Sequence, residues 1–137
     1  MYKYIYTYQT LNKINGKTYI GYHRTNNIND GYIGCGVRSQ SYANSAVKKT
    51  NSAFIKAVVK YGYENFKLEI LSFFDTVEEA INEEKFLVNN DWVKRSDTYN
   101  ISIGGNGGIY SNIYKHRDEI INDFKNGMFT THIAKKI

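Results

Sequence analysis

The residue pattern predicts a small mixed α+β domain, and three observations carry that reading: two alternating runs joined by turn formers, stretches of helical spacing with caps downstream, and a further extended run between helices. Residues 3–9 alternate, with Tyr4, Tyr6 and Tyr8 to one side and Ile5 and Thr7 to the other, the period of a strand. Residues 17–22 repeat the pattern. Between them Leu11-Asn12-Lys13-Ile14-Asn15-Gly16 is rich in turn residues, so the runs pair as a β-hairpin with Tyr6 and Tyr19 on neighbouring strands.

Residues 23–36 are rich in Asn, Asp and Gly and lack a helical period, which predicts a polar, mobile insertion. Residues 37–49 can form a helix, and residues 50–61 a better one, with Phe54, Val58 and Tyr61 at helical spacing and Gly62 as the stop. Residues 66–74 read as the third strand. Thr76 followed by Glu79 is a capping box, and the helix it opens runs to about Asn90. Tyr99-Asn100-Ile101 returns to extended chain.

The glycines of Ile103-Gly104-Gly105-Asn106-Gly107-Gly108 exclude regular structure, so one domain over residues 1–103 is followed by a linker over 104–112. Residues 113–137 then read as helical, with Gly127 closing one helix and Thr130 or Thr131 opening another. That segment resembles the start of a helix-turn-helix DNA-binding unit cut short, so a longer protein is expected.

At 137 residues the chain is the size of one domain. The absence of a long apolar run or a charged start followed by an apolar stretch predicts a cytosolic protein. A single cysteine, Cys35, excludes an internal disulfide and any multi-cysteine zinc site, and His23, His116 and His132 fall in separate segments. A bound metal would therefore take oxygen or His ligands. Eighteen Lys and Arg against 13 Asp and Glu give a net charge of +5, which favours a polyanionic partner such as nucleic acid. Thirteen tyrosines are compatible with base stacking and equally with an AT-rich coding genome.

On the helix after Thr76 the apolar stripe reads Val77, Ala80, Ile81, then Glu84, then Leu87 and Val88, whereas Glu83 lies about 100° around, toward the polar side. A carboxylate in an apolar slot costs several kcal/mol unless compensated, so Glu84 either pairs with a cation, binds a metal, or sits where the helix end turns to solvent.

Tyr4-Ile5-Tyr6 followed by Tyr19-Ile20-Gly21 resembles the paired signature of the GIY-YIG endonucleases, with Tyr4 where that family has Gly. Phe54 to Gly62 with Phe66, then Glu84-Lys85-Phe86-Leu87, then Tyr99-Asn100-Ile101 follow in the family's order. The likeness is greatest to the phage and intron homing type. It implies an antiparallel three-stranded sheet flanked by helices, double-stranded DNA as substrate, one Mg²⁺ or Mn²⁺ per site, and the cytoplasm of a phage-infected or bacterial host. It also implies roles: Glu84 as metal ligand, Arg38 (or its rival Arg24) on the scissile phosphate, Tyr6 and Tyr19 as base and water-positioning groups, and Asn100 orienting the site. His23, Arg24 and Tyr42 are supporting positions, and Lys48, Lys49, Lys135 and Lys136 candidate DNA contacts. Tyr32-Ile33-Gly34 competes for the second tripeptide but falls in the insertion. Monomer and DNA-induced dimer stay open, as do two other functions: a catalytically silent DNA-binding module and a protein-interaction domain.

Overall fold

A computed structural model describes residues 2–102 and 104 of the chain. The predicted linker from residue 105 onward and the helical segment 113–137, with His116, His132, Lys135 and Lys136, lie outside the described residues. Strands β1 (Tyr4–Asn12) and β2 (Thr18–Thr25) form the expected hairpin, and β3 (Phe66–Phe73) adds antiparallel on the far side of β1, giving the order β2-β1-β3. The α+β class and the three-stranded antiparallel sheet are both as expected. Among the described residues no helix is long and apolar enough to cross a membrane.

Helix α1 (Gln40–Ala46) is shorter than predicted. Its start is set by Ser39, whose side chain accepts from the Tyr42 backbone N–H, so Arg38 lies ahead of the helix rather than on it. A single 3₁₀ turn, Val47–Lys49, completes the segment. Helix α2 (Ala53–Tyr61) is capped by Ser52 and ends at Gly62, whose φ of 96° only glycine adopts readily. Phe54, Ile55 and Val58 of α2 form the core with Ile33, Val37, Ala43, Phe66 and Tyr99.

Ile33 in that core shows that the insertion over residues 23–36 is not polar throughout, and the neighbouring Val37 is buried with it. A tight turn over Gly34-Cys35-Gly36, closed by Ile33 N–H to Val37 O and Val37 N–H to Gly34 O, folds both apolar side chains inward. Thr10 on β1 donates its hydroxyl to the Ile33 carbonyl and ties the segment to the sheet.

Helix α3 (Val77–Leu87) opens with the predicted Thr76–Glu79 capping box and packs on β1 and β2. It stops before Asn90 because the Asn89 side chain caps a new short helix, α4 (Asn90–Lys94), by accepting from the Trp92 N–H. The chain then returns along the outer edge of β2. Thr18 N–H donates to Asp97 O, Tyr99 N–H donates to Thr18 O, and the Asn100 amide continues the ladder by receiving the Ile20 N–H and donating to the Ile20 carbonyl. A side chain thus stands in for a strand and covers an otherwise open edge. Gly104, the first residue of the predicted linker, is buried on α3, with its N–H on Val88 O.

Candidate active site

Register and helix packing bring two clefts together on the β2 side of the sheet. The first, about 280 Å³, is lined by Tyr8, Tyr19, Gly21, Tyr22, His23, Arg24, Tyr32, Cys35 and Glu84. The second, about 330 Å³, shares Tyr19, Cys35 and Glu84 with it and extends to Thr50, Ser52, Asn100 and Ser102. Tyr19, Cys35 and Glu84 are therefore the common wall.

The floor of the first cleft depends on Gly21, which pairs across the hairpin with Tyr8. A Cβ there would sit 2.5 Å from the Tyr8 hydroxyl, so only glycine lets that ring lie over the strand. Gly34 does the same for another ring: a Cβ there would meet Phe54 at 3.1 Å and Tyr19 at 3.2 Å. The two Tyr-Ile-Gly tripeptides are thus used alike. Tyr19 and Tyr32 face the cleft, Ile20 and Ile33 are buried, and Gly21 and Gly34 admit an aromatic neighbour.

His23 is fixed from several sides. Its ring stacks parallel on Tyr32 with centroids 3.6 Å apart and meets the Tyr6 ring edge-on at 5.7 Å. Its Nε2 is 2.8 Å from Asp30 Oδ2, and the Asp30 Oδ1 accepts the Tyr32 backbone N–H. Arg38 stands 3.7 Å from the same Asp30 oxygen with its side chain half exposed. Burial would raise the Asp30 carboxyl, but hydrogen bonds from His23, the Tyr32 backbone and Thr25 outweigh it and hold it below the ordinary value. Burial lowers the His23 pKa despite that carboxylate. The tyrosines shift the other way. Burial, with lesser repulsion from Asp30, pushes Tyr6 up to about 12, and burial pushes Tyr8, Tyr19 and Tyr32 upward too, so these phenols hold their protons.

The residues singled out by sequence are unevenly distributed. Tyr19, His23, Arg24 and Glu84 line the first cleft. Tyr6 does not; it lies behind it, packed on Tyr8, His23 and Phe73, and the tyrosine that reaches the cleft is Tyr8. Arg38 is at the rim through Asp30. Asn100 borders the second cleft, but its carbonyl receives both the Ile20 N–H and the Trp92 indole N–H and its NH₂ donates to Ile20 O, so its amide holds β2 in place. Tyr42 borders a separate depression with Lys49, and Lys48 and Lys49 are exposed at the end of the 3₁₀ turn.

The chain is similar to three proteins of Enterobacteria phage T4. It is 46% identical over 100 residues to segD and 41% identical over 105 residues to segB, both of which carry the name "Putative endonuclease". It is 40% identical over 106 residues to the phage's "Endonuclease segA". These matches cover 73%, 77% and 77% of this chain but only 38%, 41% and 41% of the relatives, so the chain spans about two fifths of their length. No family model matches the chain, and no solved structure matches it.

Three features of the site escaped the sequence reading. The sequence singles out Tyr6, but it is Tyr8, on the same strand face and paired with Gly21, that lines the cleft. Tyr32 and Asp30 were set aside as loop, although the repeated Tyr-Ile-Gly was the available signal. The third is a correction: Glu83, assigned to the polar side of its helix, is fully buried, and among the described residues neither carboxylate oxygen has a hydrogen-bond partner. Burial raises its pKa to about 7. Glu84 is only partly buried and faces the clefts.

Proposed function

We propose that this chain is the nuclease part of a metal-dependent DNA endonuclease of the GIY-YIG class and homing type, hydrolysing phosphodiester bonds in double-stranded DNA. The observation that carries the reading is the gathering of a carboxylate, phenolic hydroxyls, an imidazole and a guanidinium around one cleft. The net charge of +5 suits a polyanionic substrate, and similarity to phage proteins named endonucleases supports the same class.

Phosphodiester hydrolysis needs a positioned water, neutralisation of phosphate charge and help for the leaving oxygen. Among the described residues no three ligating side chains converge, so a divalent ion would take Glu84 as its protein carboxylate and complete its shell with water and phosphate oxygen, as Mg²⁺ and Mn²⁺ do. Such an ion supplies charge neutralisation at the phosphate and the leaving oxygen. Arg24, lining the cleft, and Arg38, held near it by Asp30, offer planar guanidinium forks to the phosphate. Tyr8 and Tyr19, being buried, stay protonated and donate hydrogen bonds to a phosphate oxygen or orient the water. Asn100 acts at one remove by holding Ile20, the neighbour of Tyr19. Lys48 and Lys49 contact the DNA backbone.

Supercoiled plasmid incubated with the protein tests this. Nicking or linearisation that requires Mg²⁺ or Mn²⁺, stops with chelator, and falls about a hundredfold or more in Glu84→Gln while DNA binding persists is the expected result. No metal-dependent cutting by the wild type would sink the reading.

A further inference from the structure

We propose that His23 is the general base of this cleft, with Asp30 as the residue that positions it, an inference that rests on the nuclease reading above. Asp30 Oδ2 takes one imidazole nitrogen, Nε2, at 2.8 Å, and an ionised carboxylate can only accept, so the ring's proton sits on Nε2. That leaves Nδ1 with a free lone pair. Among the described residues the ring makes no other hydrogen bond, and His23 lines the cleft. The imidazole cannot swing away, because it is sandwiched parallel on Tyr32 with an interplanar angle of 1° and blocked at its edge by Tyr6. Asp30 is itself held by the Tyr32 backbone N–H at 3.0 Å, in the stretch of chain that folds inward through Ile33. The arrangement is a base oriented by an acid, carried on a strand and a packed turn rather than on a loose loop.

The buried tyrosines are poor alternatives, since removing a phenolic proton in those surroundings is harder than in water. A neutral imidazole, which burial favours in His23, is ready to accept. In the step itself, water attacks phosphorus and its O–H proton passes to His23 Nδ1 as the new P–O bond forms. The P–O3′ bond breaks, and the 3′ oxygen leaves and takes a proton from solvent. The imidazolium, held against Asp30, returns its proton to solvent, so the sum is one water consumed per bond cut.

The charged and titratable groups around His23 are Asp30, Arg38 and Arg24, with Tyr6 and Tyr32 against its ring and Glu84 of α3 lining the same cleft. The rate should therefore rise with pH on the acid side and level off below the range of an ordinary histidine.

The test is single-turnover plasmid cleavage in Mg²⁺ by the full 137-residue chain, with DNA affinity measured in parallel by fluorescence anisotropy. His23→Ala is expected to cut at least about a hundredfold more slowly, within the usual worth of a general base, and to bind DNA as the wild type does. Added imidazole should restore cutting to His23→Ala and leave Glu84→Gln unrescued. Asp30→Asn should lose rate with unchanged affinity, because an amide no longer selects the tautomer. His23→Gln, which keeps bulk and polarity, should lose the acid limb of the pH profile even if His23→Ala folds poorly. A His23→Gln variant that cuts at the wild-type rate, or keeps the acid limb, overturns the proposal and leaves the nuclease reading standing. A wild type that never cuts overturns both.

Discussion

A β-carbon on Gly21 would lie 2.5 Å from the hydroxyl of Tyr8, a side chain that is 1% exposed. Gly21→Ala should therefore displace the Tyr8 ring from the cleft, lowering stability by about 1–3 kcal/mol through overpacking and slowing DNA cleavage. Urea unfolding and a cleavage assay on the same preparation check both effects. Glu83 makes a separate prediction. Its carboxyl is fully enclosed with no hydrogen-bond partner among the described residues, and burial raises its pKa to about 7, above the unfolded value of 4.5. The folded state thus binds a proton more tightly than the unfolded state, so its contribution to stability is fully present below pH 4.5 and is lost as pH rises through about 7. The loss is on the order of 3 kcal/mol and should vanish in Glu83→Gln, as read from urea midpoints across that range. The helical stripe pointed to Glu84 instead. α3 buries Ala80, Ile81, Glu83, Lys85 and Phe86, which cover more than one face, so there was no clean polar side for a periodicity argument to find.

Local capping was the most legible part of the elements, because caps are decided by neighbouring residues. Gly62 ends α2, and Thr76 with Glu79 opens α3, as the sequence predicts, whereas the Ser52 cap starts α2 later than the predicted residue 50. α3 ends earlier than predicted because Asn89 caps the next helix, and an Asn in that role looks, in sequence, like another residue of the last one. Asn100 was singled out by sequence, but its hydrogen-bonded partners were not legible. It donates to and accepts from Ile20 across a separation of 80 residues, a pairing no local pattern encodes. Asn100→Ala would leave a buried N–H and C=O on β2 unpaired and free the Trp92 indole, costing about 2–4 kcal/mol. Hydrogen exchange at the Ile20 amide should quicken selectively, and an unchanged rate would contradict the clasp.

At the scale of the whole molecule, the hairpin was readable because its strands are adjacent in sequence, whereas the placement of β3 beside β1 and its shift in register at Thr7/Tyr8 were not. The same long-range closure hid half of the cleft. Asp30 and Tyr32 belong to a stretch whose composition says loop, and only the burial of Ile33 and Val37 beneath it brings them to His23 and Tyr8. Glu84 and Tyr19, singled out by sequence through a helix and a motif, both line the clefts, whereas the place of Tyr8 in the first cleft was not legible. The central claim is that DNA is cut in the cleft lined by Tyr8, Tyr19, His23 and Glu84. Comparing Tyr8→Phe with Tyr6→Phe in Mg²⁺-dependent plasmid cleavage tests that claim most directly. Both variants keep their rings and so their packing. The account predicts that Tyr8→Phe cuts at least about tenfold more slowly while Tyr6→Phe stays within about threefold of the wild type. Cutting that survives Tyr8→Phe and is lost in Tyr6→Phe would contradict it.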